Sequence, residues 1–178
     1  MNDKEENKNA GCCCAGETLA FFVLRLWLGV RATLAGIEKF GAYQTIKKPL
    51  IDPTTGQPDA SGVLHNVSVK FYSLANYSGV PKPLLDKFAN EPLLPKFALA
   101  TFNDLLGPVF ILTGVMLLVG LGTRLSLFVQ GLIYLALTVG LILINQPDGI
   151  SYLGIHIALV AFALVLARNN KFAILKKW

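Results

Sequence analysis

The sequence predicts an all-α membrane protein: a four-transmembrane-helix bundle with a long extracytoplasmic loop between helices 1 and 2. Three observations carry that expectation. The 178-residue chain is 53% hydrophobic and 15% charged, with a mean hydropathy of +0.54; a soluble domain carries about a quarter charged residues. From Leu105 to Ile144, Arg124 is the single charged residue among 40. At ~1.5 Å per helical residue that run would extend roughly 60 Å, which is two bilayer cores rather than one buried helix. Further apolar runs near each end of the chain supply the other two spans.

The elements follow in order. Residues 1–16 are polar, mixed in charge, and read as a disordered tail. Cys12, Cys13 and Cys14, the only cysteines, lie there. Adjacent cysteines cannot staple a fold and lack metal-ligand spacing, so a disulfide framework is excluded. They read as a reduced tail, with lipidation or metal capture as the functional alternative. Arginines in the apolar stretch that follows argue against a cleaved signal peptide. Span 1 is expected near residues 18–40, followed by the long connection, 41–95. Within that connection Leu64, Val67, Phe71 and Leu74 have helical spacing and predict a short interfacial helix. Pro83–Asn90 predicts a second, with Leu84, Leu85 and Phe88 on one side. Span 2 is expected at 97–120. A Leu121–Arg124 turn follows, with Thr123 as the helix N-cap. Span 3 falls at 124–144, and Asn145–Gly149 is a turn. Span 4 falls at 150–167, and a basic tail fills 169–178.

The formal charge is +5, from 16 basic and 11 acidic residues. The basic residues are scattered and form no patch interleaved with aromatics, which excludes nucleic acid as a partner. Membrane lipids are the expected partner. Lys4 and Lys8, Arg124, and Arg168, Lys171, Lys176 and Lys177 all fall on one side of a four-span chain. The positive-inside rule makes that side, and both termini, cytoplasmic. The long connection also carries lysines, but long loops cross regardless of charge.

Ionisable residues inside spans are costly and therefore functional candidates. Helical rise places Glu38 about 5 Å and Arg31 about 15 Å below the outer edge of span 1. It places Asp104 on span 2 roughly 10 Å down and His156 on span 4 roughly 9 Å down. Arg31, Glu38, Asp104 and His156 thus form one expected outer layer from three helices. The layer reads as an ion-paired knot or as a polar pocket for the carbonyl oxygens of a quinone. Tyr134 and Tyr152 are further members or packing aromatics. In the inner half, Arg25 and Gln130 form an expected polar pair. Gly29, Ala32 and Gly36 form a small-residue stripe for close helix packing. No nucleotide-binding glycine loop, HExxH, CxxCH or nucleophile elbow occurs. Neither a metal site nor an intrinsic cofactor is expected.

Two groups of residues resemble a known family. Leu24-Arg25-Leu26-Trp27-Leu28-Gly29 with Ala35-Gly36-Ile37-Glu38-Lys39-Phe40 is similar to the first-span signature of DoxX/DoxD-like integral membrane proteins. Asp104-Leu105-Leu106-Gly107 with Leu118–Arg124 is similar to that family's second span and the turn after it. The long loop, with Asp52-Pro53, His65 and Gly79-Val80-Pro81, resembles the DoxD branch, the small subunit of thiosulfate:quinone oxidoreductase. The resemblance implies a four-helix bundle within a redox complex at the quinone pool of a bacterial inner membrane. It implies Arg25, Glu38, Lys39, Asp104 and Arg124 as polar positions of interest. The expected function is a small subunit that stabilises a larger respiratory or redox-linked complex and contributes to a quinone or lipid pocket. The alternatives are a subunit acting directly in thiosulfate:quinone-type catalysis, and a stand-alone transporter or lipid-binding protein.

Overall fold

A computed structural model describes residues 3–49, 57, 64–170 and 174, with side chains from Gly16 onward. The thiols of Cys12, Cys13 and Cys14 and the tail lysines 171, 176 and 177 lie outside the described residues. Helix α1 runs from Asp3 to Glu38, so it takes in most of the stretch expected as a disordered tail. Strands β1 (Gly41–Pro49) and β2 (Leu64–Tyr72) follow. After them come α2 (Lys82–Ala89), α3 (Lys96–Val119), α4 (Thr123–Leu143) and α5 (Pro147–Leu166).

Four segments are long and apolar enough to cross a membrane: Gly16–Glu38, Lys96–Val119, Thr123–Leu143 and Pro147–Asn169. Their packing is that of an integral membrane protein. Leu19, Val23, Leu112, Phe128, Ile142, Phe162 and Val165 are exposed, while Arg25, Thr113, Thr123, Ser126, Gln130 and His156 are buried. In water this distribution would waste most of the hydrophobic driving force. In lipid it places apolar side chains against acyl chains and leaves polar ones to satisfy one another.

Small residues set the approach of α1 to α3. A Cβ on Gly36 would meet the Gly107 carbonyl oxygen at 2.9 Å, and one on Gly114 would meet the Gly29 oxygen at 2.9 Å. Ala32, between the two glycines of α1, is fully buried. Gly29 and Gly36, two turns apart, therefore face Gly114 and Gly107 and fix the antiparallel register. The α3–α4 turn needs left-handed backbone at Gly120 (φ 86°) and Gly122 (φ 51°), which glycine adopts without strain. Gly122 is the N-cap of α4 and Thr123 its first residue. The expected Thr123 cap is thus corrected: its Oγ1 accepts a hydrogen bond from Asn170 Nδ2 at 2.9 Å instead. Asn145 (φ 54°) turns α4 into α5, and Pro147 begins α5, where its missing N–H costs nothing.

The fold is not purely helical, which corrects one expectation. The segment Leu64–Leu74 is not an interfacial helix; Leu64–Tyr72 is strand β2, paired antiparallel to β1 with Ile46 opposite Val67 and Gly41 opposite Tyr72. Val67, Val69 and Phe71 also carry a period of two, and β-branched residues favour the extended backbone. The helical stripe at this segment lacks a surface to bury against, so the cross-strand ladder prevails. The helix expected at Pro83–Asn90 is present as α2, with Phe88 buried near Gly140 of α4.

Candidate functional site

Tyr77 locks the loop onto the bundle. Pro108 lies inside α3 and has no N–H for the Asp104 carbonyl one turn earlier. The Tyr77 hydroxyl sits 2.6 Å from the Asn103 oxygen and 2.9 Å from the Asp104 oxygen, and accepts from the Gly107 N–H at 3.1 Å. Gly107 has no side chain to obstruct this, and a Cβ there would meet the Tyr77 ring at 2.6 Å. Asn103 Oδ1 then accepts from the Val80 N–H at 2.8 Å. The segment Gly79-Val80-Pro81 is thereby held over the end of the bundle.

Beneath that cap lies a cavity of about 400 Å³. Its polar lining is Arg31 from α1, Lys39 just past the end of α1, Tyr134 from α4, and Tyr152 and His156 from α5. Leu84, Leu106, Phe110, Leu137, Leu141 and Leu153 supply apolar walls. Arg31 donates a hydrogen bond from Nη2 to the Tyr152 hydroxyl and lies 5.7 Å from the Tyr152 ring centroid. His156 is buried, with Nδ1 2.9 Å from the Tyr152 carbonyl oxygen. A carbonyl only accepts, so Nδ1 carries a proton and Nε2 is the ring nitrogen left for another partner. Three aromatic rings surround the imidazole: Tyr152 at 4.5 Å, Tyr134 at 5.3 Å and Trp27 at 5.6 Å. At the capped end, burial pushes the Lys39 ammonium below its usual range, and the neighbouring Glu38 carboxylate partly opposes this.

The four-residue layer expected from helical depth is corrected. Arg31 and His156 come together, through Tyr152. Glu38 is exposed and pairs with Lys70 of β2 at 3.7 Å. Tyr72 and Glu38 together raise the affinity of Lys70 for its proton, Tyr72 through the larger, hydrogen-bonding effect. Asp104 is also exposed, with Asn103 Nδ2 3.4 Å from its Oδ1. The physical reason is register. Gly29 faces Gly114 and Leu118, and Gly36 faces Gly107 and Ile111, so Asp104 falls level with Gly41, beyond the end of α1. Among the described residues no carboxylate lies within salt-bridge distance of Arg31. Tyr152 was legible as a partner through spacing, since it precedes His156 by four residues, whereas the approach of Trp27 to His156 joins two helices and has no local signal.

The end of the bundle opposite the cap is a separate polar lock. Arg25 Nη1 donates to Asn170 Oδ1 at 3.1 Å, and Asn169 Nδ2 donates to Glu17. The start of the first span, the α3–α4 turn and the end of α5 therefore meet at one end of the bundle. Gln130, fully buried, sits with Nε2 3.4 Å from Thr113 Oγ1. The expected Arg25–Gln130 pair is thus replaced by contacts of each residue with another partner. Gly29, Ala32 and Gly36 all sit in the α1–α3 interface. Among the described residues no group of three His, Cys, Asp or Glu side chains could hold a metal ion.

No family model, curated protein or solved structure matches the chain.

Proposed function

We propose that this protein is a small DoxX/DoxD-like integral membrane subunit of a larger redox-linked complex, whose outer cavity binds the head of a quinone or lipid. The observation that carries the reading is the 400 Å³ cavity in which polar groups from α1, α4 and α5 converge inside an apolar wall. Its volume lies in the range of small-molecule sites. Arg31 and the Tyr152 hydroxyl are donors suited to carbonyl or phosphoryl oxygens, and His156 Nε2, in the neutral ring, is an acceptor for a hydroxyl. The protein's part is binding and orientation; electrons for any quinone come from a partner subunit. By the placement of Arg124 and Arg168, both termini face the cytoplasm and the capped cavity faces outward across a bacterial inner membrane.

Trp27 provides the test, because its ring lies 5.6 Å from that of His156. In nanodiscs, on a Trp178→Phe background, a short-chain benzoquinone is expected to quench Trp27 saturably. His156→Ala and Tyr152→Phe should each weaken binding about tenfold, the value of one polar contact. Equal affinity in wild type and both variants would remove the pocket reading. Purification from native membranes in mild detergent as a lone monomer would remove the subunit reading.

A further inference from the structure

We infer that the cavity takes an amphiphile with an anionic head, a phosphate or carboxylate held by Arg31 and Lys39, its chain lying along Leu84, Leu137 and Leu141. The inference rests on the pocket reading above and narrows its ligand.

Charge balance carries it. Two cationic side chains and no acidic one line the cavity. Arginines at membrane depth pair with carboxylates or backbone carbonyls almost without exception, because an uncompensated charge in a low-dielectric site is costly. Here the carboxylates on the adjoining elements are turned elsewhere. Glu38 is exposed and held by Lys70, and Asp104 is exposed on α3 beyond the α1 end. Among the described residues neither Arg31 nor Lys39 has a carboxylate within 4.0 Å. The Tyr152 hydroxyl takes one of the five guanidinium N–H donors. A neutral phenol and its ring compensate a cation only in part. The remaining donors are suited to an oxyanion, which Arg binds in bidentate geometry. Lys39, depressed by desolvation, gains from the same anion. The chain has somewhere to go: apart from its five polar residues the lining is aliphatic, aromatic or glycine. By contrast, a second groove of about 460 Å³ along α3 and α4 is lined by Phe97, Phe102, Leu105 and other side chains with no charge among them. That groove suits acyl chains but no head group.

The experiment titrates dodecyl phosphate, dodecanoate, dodecanol, inorganic phosphate and a short-chain benzoquinone against the full chain in nanodiscs, read by Trp27 fluorescence. Both dodecyl anions are expected to bind at least tenfold more tightly than dodecanol, and inorganic phosphate at least tenfold more weakly than dodecyl phosphate. The tighter of the two anions identifies the source as phospholipid or fatty acid. Arg31→Gln should abolish the preference over dodecanol. Lys39→Gln, at the cavity's outer end, should reduce it at least threefold and serves if Arg31→Gln does not fold. Dodecanol binding as tightly as the anions overturns the inference, as does a preference retained in the folded variants. Benzoquinone binding without anion binding leaves the pocket reading standing and removes this one. Failure of all five probes removes the pocket itself.

Discussion

Replacing Tyr77 by phenylalanine deletes one hydroxyl and nothing else from the contact between the loop and α3. In the native protein that oxygen lies 2.6 Å from the Asn103 carbonyl, 2.9 Å from the Asp104 carbonyl, and 3.1 Å from the Gly107 nitrogen. The ring, tilted against that of Phe40 with centroids 4.9 Å apart, keeps its packing. The Gly107 N–H loses an acceptor, and the neighbouring carbonyls lose a shared donor. A buried polar group left without its partner costs ~1–3 kcal/mol, and half-burial here places each at the low end, so Tyr77→Phe should cost about 2 kcal/mol. Pro108 is the reason a donor is needed, since any other residue there offers an N–H to the Asp104 carbonyl. Pro108→Ala should therefore relieve part of the defect, and the two substitutions should couple by about 1 kcal/mol. The assay is reversible unfolding by SDS in mixed micelles, followed by far-ultraviolet circular dichroism, for wild type, both single variants and the double variant. A Tyr77→Phe cost under ~0.5 kcal/mol, or strictly additive single variants, would refute the idea that this hydroxyl stands in for the amide proline lacks.

Other substitutions probe the same structure in the same assay. Gly36→Ala puts a Cβ 2.6 Å from Ile111 Cγ1 and 2.9 Å from the Gly107 oxygen, and should destabilise by ~1–3 kcal/mol. Gly154→Ala, with nothing within 4 Å, should be neutral or stabilising, and equal effects at the two sites would discredit the α1–α3 register. Asn170→Ala removes an acceptor from Arg25 and a donor from Thr123 and should cost ~1.5–3 kcal/mol; a loss below ~0.5 kcal/mol would show that this polar lock is not structural. Lys39→Met tests the cavity's burden on stability through pH. Burial lowers the Lys39 pKa below 10.5 in the folded protein, so the unfolded chain binds the proton more tightly. Wild-type stability should then rise as pH climbs from the folded value through 10.5. Lys39→Met should be the more stable protein at pH 7, with its advantage gone near pH 11; an advantage unchanged with pH would mean packing, not charge, is the cause.

The four helices long and apolar enough to cross a membrane were legible in the residues because a bilayer makes its demand on each segment separately. A run such as Leu105–Ile144 must satisfy its own backbone and offer apolar side chains wherever it ends up, so composition decides that it spans. Asn145 and Pro147 likewise act through their own φ preferences, and Gly120 and Gly122 do so at the other turn. The pairing of charges was not legible. Counting residues from each helix end assumed that every span starts at the same height, yet α3 begins about three turns beyond the end of α1 in the register that Gly36 and Gly107 impose. That offset carries Asp104 out of the layer and, with Lys70 delivered by a strand, leaves Arg31 to Tyr152. The strand itself depended on a partner some twenty residues away, which no local period reveals. Hydrophobicity is a property of one segment and the solvent around it, so the chain's four crossings are written in its composition. Which polar atoms touch depends on offsets between segments, and contacts between glycines and carbonyl oxygens on different helices set those offsets only once the whole bundle has closed.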